Sequence, residues 1–166
     1  VIQPQMSFGT GHHQTTWMMT KALFELDSMP ENVLDMGAGT GVLSIFAEQL
    51  GAKQVLAIDI EDWSAVNVRE NAERNECAKI VSVCGDVDKI NGEKFGLIIA
   101  NINKNVLKMH MKKYADALVA NGTLLLSGFF SSDVDEMVTF AGQYGFTKEE
   151  EYAKDEWAAI RLSRLS

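Results

Sequence analysis

The 166-residue sequence predicts an α/β fold in which a mostly parallel β-sheet carries helices on both faces. Short apolar runs alternate along the chain with segments of helical periodicity, a pattern typical of parallel strands joined by crossover helices. Two extended runs with a short polar turn between them close the chain, and they predict a hairpin that adds one antiparallel strand. Counting these runs gives an expected sheet of seven strands.

The stretch VLDMGAGTG at residues 33–41 is the feature around which this fold is organised. It predicts a strand, a tight turn and the start of a helix. Gly37, Gly39 and Gly41 allow backbone angles that are closed to other residues, and without Cβ atoms they let a ligand lie against the main chain. The helix that follows points its free N–H groups at the turn. A cofactor is therefore expected to dock here.

The spacing of the glycines indicates which kind of cofactor. The dinucleotide fingerprint G-x-G-x-x-G needs a third glycine at the position of Val42, so a nicotinamide oxidoreductase is disfavoured. A phosphate-binding P-loop needs G-x-x-x-x-G-K-[ST], which the sequence lacks. The form that is present, E/D-x-G-x-G-x-G beginning at Asp35, resembles motif I of the class I S-adenosylmethionine-dependent methyltransferases. That resemblance implies a Rossmann-like fold.

The chain ahead of the glycine turn is expected to form the rim of the site. Residues 6–16 predict a Gly- and Thr-rich loop, and residues 15–26 predict an amphipathic helix capped by Thr15 or Thr16.

Four ring-bearing residues of this rim have open roles. His12 and His13 are candidates for a general base or a lid contact, although histidines in surface loops are common. Phe8 and Trp17 either stack on an adenine or fill the core, and for Trp17 we favour the core.

Polar side chains follow three further predicted strands. Asp59 comes 22 residues after Gly37, near the offset at which an acid binds a ribose hydroxyl in nucleotide-binding α/β folds. Asp86 follows the third strand and Asn101 the fourth. Because ligands bind beyond the carboxyl ends of such strands, we expect these side chains to converge with the glycine turn.

The second half of the chain predicts the remaining elements. We expect His110 and its neighbours Met109 and Met111, which stand among lysines, to lie on a solvated helix face. The predicted order is a helix over 104–120, a turn at 121–122, a strand over 123–130, a helix over 131–145 and the terminal hairpin.

Methyl transfer from a sulfonium is an in-line displacement, so the protein mainly has to place donor and acceptor. An amine acceptor must first lose a proton, because the ordinary pKa of a lysine side chain in water is about 10.4. Asn101 is the predicted catalytic residue, with side-chain and neighbouring carbonyl oxygens that accept hydrogen bonds from the amine. The following Ile102-Asn103-Lys104 is not the Pro-Pro-Tyr run that similar enzymes use on planar amides, which favours an aliphatic amine.

Four segments together look like the methyltransferases that modify protein 11 of the large ribosomal subunit. They are FGTGHHQTT at 8–16, VLDMGAGTGVLSI at 33–45, AIDIED at 57–62 and IIANINKNVL at 98–107. The resemblance implies cofactor contacts at Thr16, Gly37, Asp59 and Asn101, and methylation of lysine side chains and the α-amino group of that ribosomal protein.

Two other cofactor contacts are expected. The alternate-glycine spacing places the main chain of Gly39 against the ligand. In methyltransferases of this class an acid after the third strand often meets the adenine amino group, which implies a contact at Asp86 or, alternatively, a solvated turn acid.

The sequence departs from the family at two points and in its extent. Gln14 stands where the family usually has Pro, and Ala38 where Cys is frequent. Family members also carry an N-terminal recognition domain, which we expect to lie outside these 166 residues. The expected organisation is one S-adenosylmethionine-dependent domain over 1–166, with 1–30 as its rim. The alternatives are a related protein-lysine or small-molecule amine methyltransferase, and a cofactor-binding piece that is inactive without its N-terminal domain.

Composition and charge limit the kinds of partner that the chain is expected to bind. The formal net charge of −8 disfavours broad binding to nucleic acid, and no apolar run approaches the roughly 20 residues that span a bilayer. Cys77 and Cys84 lack C-x-x-C spacing, so neither a disulfide framework nor a metal site is expected. We therefore expect a cytoplasmic protein, which we take to be a monomer, and the family resemblance implies that its partner is a ribosomal protein.

Overall fold

The computed structural model describes residues 12–165, which form a seven-stranded sheet flanked by five α-helices. Two 3₁₀ turns, Val87–Ile90 and Ser131–Asp133, accompany them. The elements are α1 (His12–Phe24), β1 (Asn32–Met36), α2 (Val42–Gln49), β2 (Gln54–Asp59), α3 (Asp62–Arg74), β3 (Ile80–Cys84), β4 (Phe95–Asn101), α4 (Lys104–Ala117), β5 (Leu118–Phe130), α5 (Val134–Gly142), β6 (Phe146–Lys154) and β7 (Trp157–Arg164).

The strands lie in the order β3-β2-β1-β4-β5-β7-β6. Neighbours among β1 to β5 are parallel, and β7 runs antiparallel to both β5 and β6. The predicted fold class is therefore confirmed, including the single reversed strand. The strand order changes direction between β1 and β4, and such a switch point opens a crevice at the carboxyl ends of the two strands.

Both faces of the sheet are buried because successive residues of its central strands are apolar. Leu34 and Ile98 face a core that α4 and α5 cover, whereas Val33, Leu97 and Ile99 face a second core under α1 and α2. All five are inaccessible to solvent. Parallel strands covered on both sides need this nearly continuous apolar sequence. For this reason the strands, and their alternation with helices along the chain, could be recognised from the sequence.

The rim differs from its prediction. Helix α1 already includes His12, so Thr15 and Thr16 lie inside the helix and cannot cap it. The Thr15 hydroxyl instead donates to the backbone oxygen of His12 at 3.2 Å, within the helix. Residues 12–16 of the predicted loop are therefore helical, and the rest of that loop, with Phe8, lies outside the described residues.

The predicted core position of Trp17 is wrong. Its side chain is 46% exposed and lies beneath two ammonium groups, those of Lys154 at 4.4 Å and Lys21 at 5.6 Å from the ring centroid. Cations over an indole face are favourable at the surface, so this side chain contributes there and not in the core.

Helix α4 also differs from its prediction. His110 and Met111 are buried, and only Met109 lies on a solvated face. The helix ends at Ala117, earlier than predicted. The predicted turn at 121–122 is an irregularity inside β5, where Asn121 has a φ of 63° and the pairing with β4 shifts register. No helix in the described part of the chain is long and apolar enough to cross a membrane.

Candidate functional site

A crevice of about 640 Å³ opens at the carboxyl ends of β1 to β4. Its walls come from the turns after these four strands, from α1 and from α4. The structure brings together in this crevice all the residues predicted for the site: Thr16, Gly37, Gly39, Asp59, Asp86 and Asn101.

The glycine turn after β1 requires its glycines. Gly37, Gly39 and Gly41 have φ angles of 73°, 58° and 86°, in the left-handed region that other residues rarely adopt. A Cβ on Gly37 would also lie 2.3 Å from Cγ2 of Ile102, in the loop after β4. The turn and that loop can approach each other only because this position has no side chain.

Helix α3 holds the turn from behind. The Ser64 hydroxyl donates to the carbonyl oxygen of Gly39 at 2.7 Å, and the Asn71 amide donates to that of Thr40 at 2.9 Å. Both side chains are buried, although they are polar. Buried polar groups of this kind are stable when they are hydrogen-bonded, and here they fix the carbonyl groups of the turn.

Asp59 joins the turn to the end of β2. Its Oδ2 accepts a hydrogen bond from the Gly39 N–H at 3.0 Å, and its Oδ1 accepts one from the Glu61 N–H at 3.0 Å. An ionised carboxylate offers about four acceptor positions, so two remain for a ligand. The carboxylate is thus oriented by main-chain donors and can still bind a pair of hydroxyl groups.

Asp35 is a buried acid in the crevice wall that the sequence marked only as the first residue of its motif. It is 1% exposed, and its Oδ2 accepts a hydrogen bond from the Ser44 hydroxyl at 2.7 Å. Burial raises the pKa of Asp35 to about 7, and nearby Asp59 adds to the rise, while hydrogen bonds from Ser44 oppose it. Its charge therefore changes near neutral pH.

Asn101 ends β4 with its amide tied to α1. Its Nδ2 donates to the Thr15 hydroxyl at 3.1 Å, which leaves the side-chain carbonyl Oδ1 as the acceptor that a ligand can use. Thr16, the next residue of α1, also lines the crevice, and its buried hydroxyl has no hydrogen-bond partner among residues 12–165. A buried orphan hydroxyl in a crevice wall indicates a group that a ligand completes.

The segment after β3 carries a network that was not predicted from the sequence. Asp86 Oδ1 lies 3.1 Å from Nε2 of His110, whose Nδ1 lies 3.1 Å from the Tyr114 hydroxyl oxygen. Burial lowers the pKa of His110, and the charge of Asp86 opposes that shift. The apolar spacing of Leu107, Met111 and Tyr114 on α4 could have shown that this face is buried.

Of the two rim histidines, only His12 lines the crevice. Partial burial lowers the pKa of His12, with a smaller contribution from His13. Trp17 does not line the crevice either, so among the described residues it has neither of its two predicted roles.

The comparison with known proteins identifies the family. A family model described as ribosomal protein L11 methyltransferase (PrmA) matches residues 1–164. The chain belongs to the ribosomal protein L11 methyltransferase family. The resemblance inferred from its four segments is thereby confirmed.

Relatives in this L11 methyltransferase family extend beyond the present chain. A ribosomal protein L11 methyltransferase of Porphyromonas gingivalis is 45% identical over 164 residues, which cover 98% of this chain and 57% of the relative. One of Bacteroides fragilis is 38% identical over 163 residues, 98% of this chain and 58% of the relative. The chain thus spans less than two thirds of the length of these relatives.

Solved structures agree with the L11 methyltransferase assignment. The ribosomal protein L11 methylase of Lactobacillus delbrueckii subsp. bulgaricus superposes with a TM-score of 0.90 and 29% identity, covering 99% of this chain and 84% of that one. The N-methyltransferase NodS of Bradyrhizobium japonicum, in complex with S-adenosyl-L-homocysteine, gives a TM-score of 0.74 at 13% identity, over 96% of this chain and 90% of that one. The second likeness shows the fold alone.

Proposed function

We propose that this chain is the S-adenosylmethionine-dependent methyltransferase domain of a protein N-methyltransferase, with residues 1–166 forming one domain. Its substrate is ribosomal protein L11, on which it methylates lysine side chains and the α-amino group. The observation that carries this proposal is the convergence of Asp59, the glycine turn and Asn101 on one crevice in a member of this family.

The crevice residues fit this cofactor. Asp59 keeps acceptor positions for two ribose hydroxyls, and Gly37 and Gly39 let the ligand lie against the main chain. The orphan hydroxyl of Thr16 needs a partner that a ligand supplies. Asp35 lines the same crevice, and its carboxylate, when ionised, would attract a positively charged cofactor.

The cofactor supplies a methyl group on a positively charged sulfur, and the chain supplies placement. Asn101 Oδ1 accepts a hydrogen bond from the incoming amine and so aims its lone pair. Its orientation does not depend on the substrate, because its Nδ2 is already held by Thr15. Asn101 therefore acts at the acceptor end of the crevice while contacting the cofactor.

The partner is a protein and not a nucleic acid, and the chain acts as a monomer in the cytoplasm, where ribosomes assemble. The net charge of −8 supports this choice, because it opposes attraction to a phosphate backbone and favours a basic ribosomal protein. Recognition of that ribosomal protein also uses the part of the relatives' sequences that this chain does not match.

The test is transfer of a labelled methyl group from S-adenosylmethionine to purified L11. We expect slow incorporation by the wild-type chain, because recognition of L11 also uses the part of the relatives that this chain does not match. We expect a further loss of about 100-fold for Asn101→Ala, the scale of a misplaced reactant. Asn105→Ala is the matched control, since Asn105 is an exposed amide on α4 outside the crevice. Cofactor binding without transfer to L11 would favour a cofactor-binding piece, and transfer to free amines alone would favour a small-molecule methyltransferase.

A further inference from the structure

Three side chains beyond β3 lie in a row, Asp86, His110 and Tyr114, and the first two of them line the crevice. Asp86 is the exposed member, with 56% of its side chain accessible, whereas His110 is 6% and Tyr114 0% exposed. His110 Nε2 lies 3.1 Å from Asp86 Oδ1, and His110 Nδ1 lies 3.1 Å from the Tyr114 hydroxyl oxygen. A buried tyrosine thus stands behind a buried histidine, which contacts an open carboxylate.

The hydrogen-bond directions follow from what each group can donate. The Tyr114 hydroxyl is buried, so its proton needs an acceptor, and Nδ1 of a neutral imidazole is one. The ring proton then lies on Nε2 and is donated to Asp86. Burial lowers the pKa of His110, which favours the neutral ring that this arrangement requires.

Asp86 is held by two donors on one oxygen. Its Oδ1 also accepts a hydrogen bond from the Val87 N–H at 2.8 Å. Its Oδ2 accepts none from any residue between 12 and 165, and the exposed side chain lines the crevice. One carboxylate oxygen is therefore pinned, and the other is available to a ligand.

We propose that His110 is a positioning residue that makes Asp86 selective for the 6-amino group of a purine. The inference rests on the proposed function, because it assigns the adenine end of the same crevice. The free oxygen of a carboxylate held in this way, here Oδ2 of Asp86, accepts a hydrogen bond from an amino group. It meets a 6-oxo group acceptor to acceptor, and a site built for one hydrogen-bond pattern rejects the analogue that lacks it.

If the contact between Asp86 and His110 only stabilises the fold, the variants should behave differently. In that case His110 only ties the 3₁₀ turn Val87–Ile90 to α4, and its loss loosens the crevice for every purine alike. The ratio of two affinities separates these roles, whereas a single affinity does not.

The experiment is calorimetric titration of the protein with S-adenosylhomocysteine and with its 6-oxo analogue S-inosylhomocysteine. We expect the wild type to prefer the adenosyl ligand by roughly tenfold or more, the scale of a hydrogen bond to a charged group. His110→Gln carries an amide N–H near the place of Nε2 and should keep this ratio. His110→Asn has the same chemistry but is one methylene shorter, so the ratio should fall roughly to that of Asp86→Ala.

Tyr114→Phe serves as a second probe that removes only a hydroxyl, in case the asparagine variant does not fold. We expect its ratio to fall roughly threefold, because the ring loses the donor that fixes its tautomer. Equal weakening of both ligands in the variants, or a wild type without purine preference, would overturn the role of His110. A wild type that binds neither homocysteine ligand would contradict the proposed function itself, and this inference with it.

Discussion

Asn101 Nδ2 donates a hydrogen bond to Thr15 Oγ1 at 3.1 Å, and so joins the end of β4 to helix α1 across 86 residues of sequence. The Thr15 hydroxyl in turn donates a hydrogen bond to the backbone oxygen of His12 at 3.2 Å. The amide nitrogen of Asn101 is therefore committed within the protein, and its oxygen is the atom offered to a ligand. The rim helix thus sets the orientation of the predicted catalytic side chain.

Removal of the Thr15 hydroxyl, in a variant whose side chain keeps nearly the same shape, should weaken cofactor binding. We expect Thr15→Val to lower the affinity for S-adenosylhomocysteine roughly fivefold, the scale of one hydrogen bond, because the Asn101 amide can then rotate. Calorimetry measures this effect. Thr139→Val makes the same change at an exposed site on α5 and should leave the affinity unaltered, and equal affinities in both variants would show that the Thr15 contact is unimportant.

Asp59 should be the main determinant of ribose binding. We expect Asp59→Ala to weaken S-adenosylmethionine binding by about 1 to 3 kcal/mol, the range for loss of a charged hydrogen-bond acceptor. Asp62→Ala removes an exposed carboxylate three residues further on that does not line the crevice, and it is the matched control. Unchanged affinity in a folded Asp59→Ala variant would remove Asp59 from the site.

The close approach of Gly37 to Ile102 predicts a cost for any side chain at this position. We expect Gly37→Ala to lower the free energy of unfolding by about 1 to 3 kcal/mol, because it combines a φ of 73° with a Cβ contact of 2.3 Å. Chemical denaturation gives this value. Gly142→Ala, at a site with no atom within 4 Å of the new Cβ, should be neutral or slightly stabilising, and a similar loss in both variants would argue against the steric account.

Asp35 should make the stability fall as the pH rises. Burial raises its folded pKa from 3.8 to about 7, so between these values the folded state holds a proton that the unfolded state has released. The stabilisation is complete below the unfolded pKa and is lost as the pH rises through the folded one. The full effect is on the order of 4 kcal/mol.

An amide in place of this acid isolates the effect. Asp35→Asn keeps an acceptor for Ser44 but cannot ionise, so the stability of the variant relative to the wild type should increase from pH 4.5 to pH 8. Denaturation curves across this range measure the difference, with the exposed acid changed in Asp27→Asn as the control. A difference that does not depend on pH would show that Asp35 does not titrate in this window.

The sequence predicted the fold because its central strands are apolar on both faces. Burial of Leu34, Ile98 and their neighbours leaves a signal in every strand, and the glycine turn marks the end of β1. The start of α1 at His12 was not predicted, because α1 is held by a contact with β4. The irregularity of β5 at Asn121 was not predicted either, because it depends on pairing between β4 and β5. Local propensity carries no information about such contacts.

The site was predictable where residue type and strand end coincide. Gly37, Asp59 and Asn101 each stand at or directly after the carboxyl end of a strand, and the parallel sheet alone brings them together. His110 was missed because lysines surround it in the sequence, although the helical period turns them to other faces. The exposed position of Trp17 could not be predicted either, since it depends on Lys154 from the distant hairpin.

The most direct test of the account is calorimetric titration of the wild-type chain with S-adenosylmethionine and, separately, with a nicotinamide dinucleotide. The turn has the spacing of a methyltransferase motif and lacks the third glycine of a dinucleotide fingerprint. We expect binding of S-adenosylmethionine alone, at one site per chain. Binding of the dinucleotide instead, or of neither ligand, would contradict the assignment of this crevice to the methyl donor.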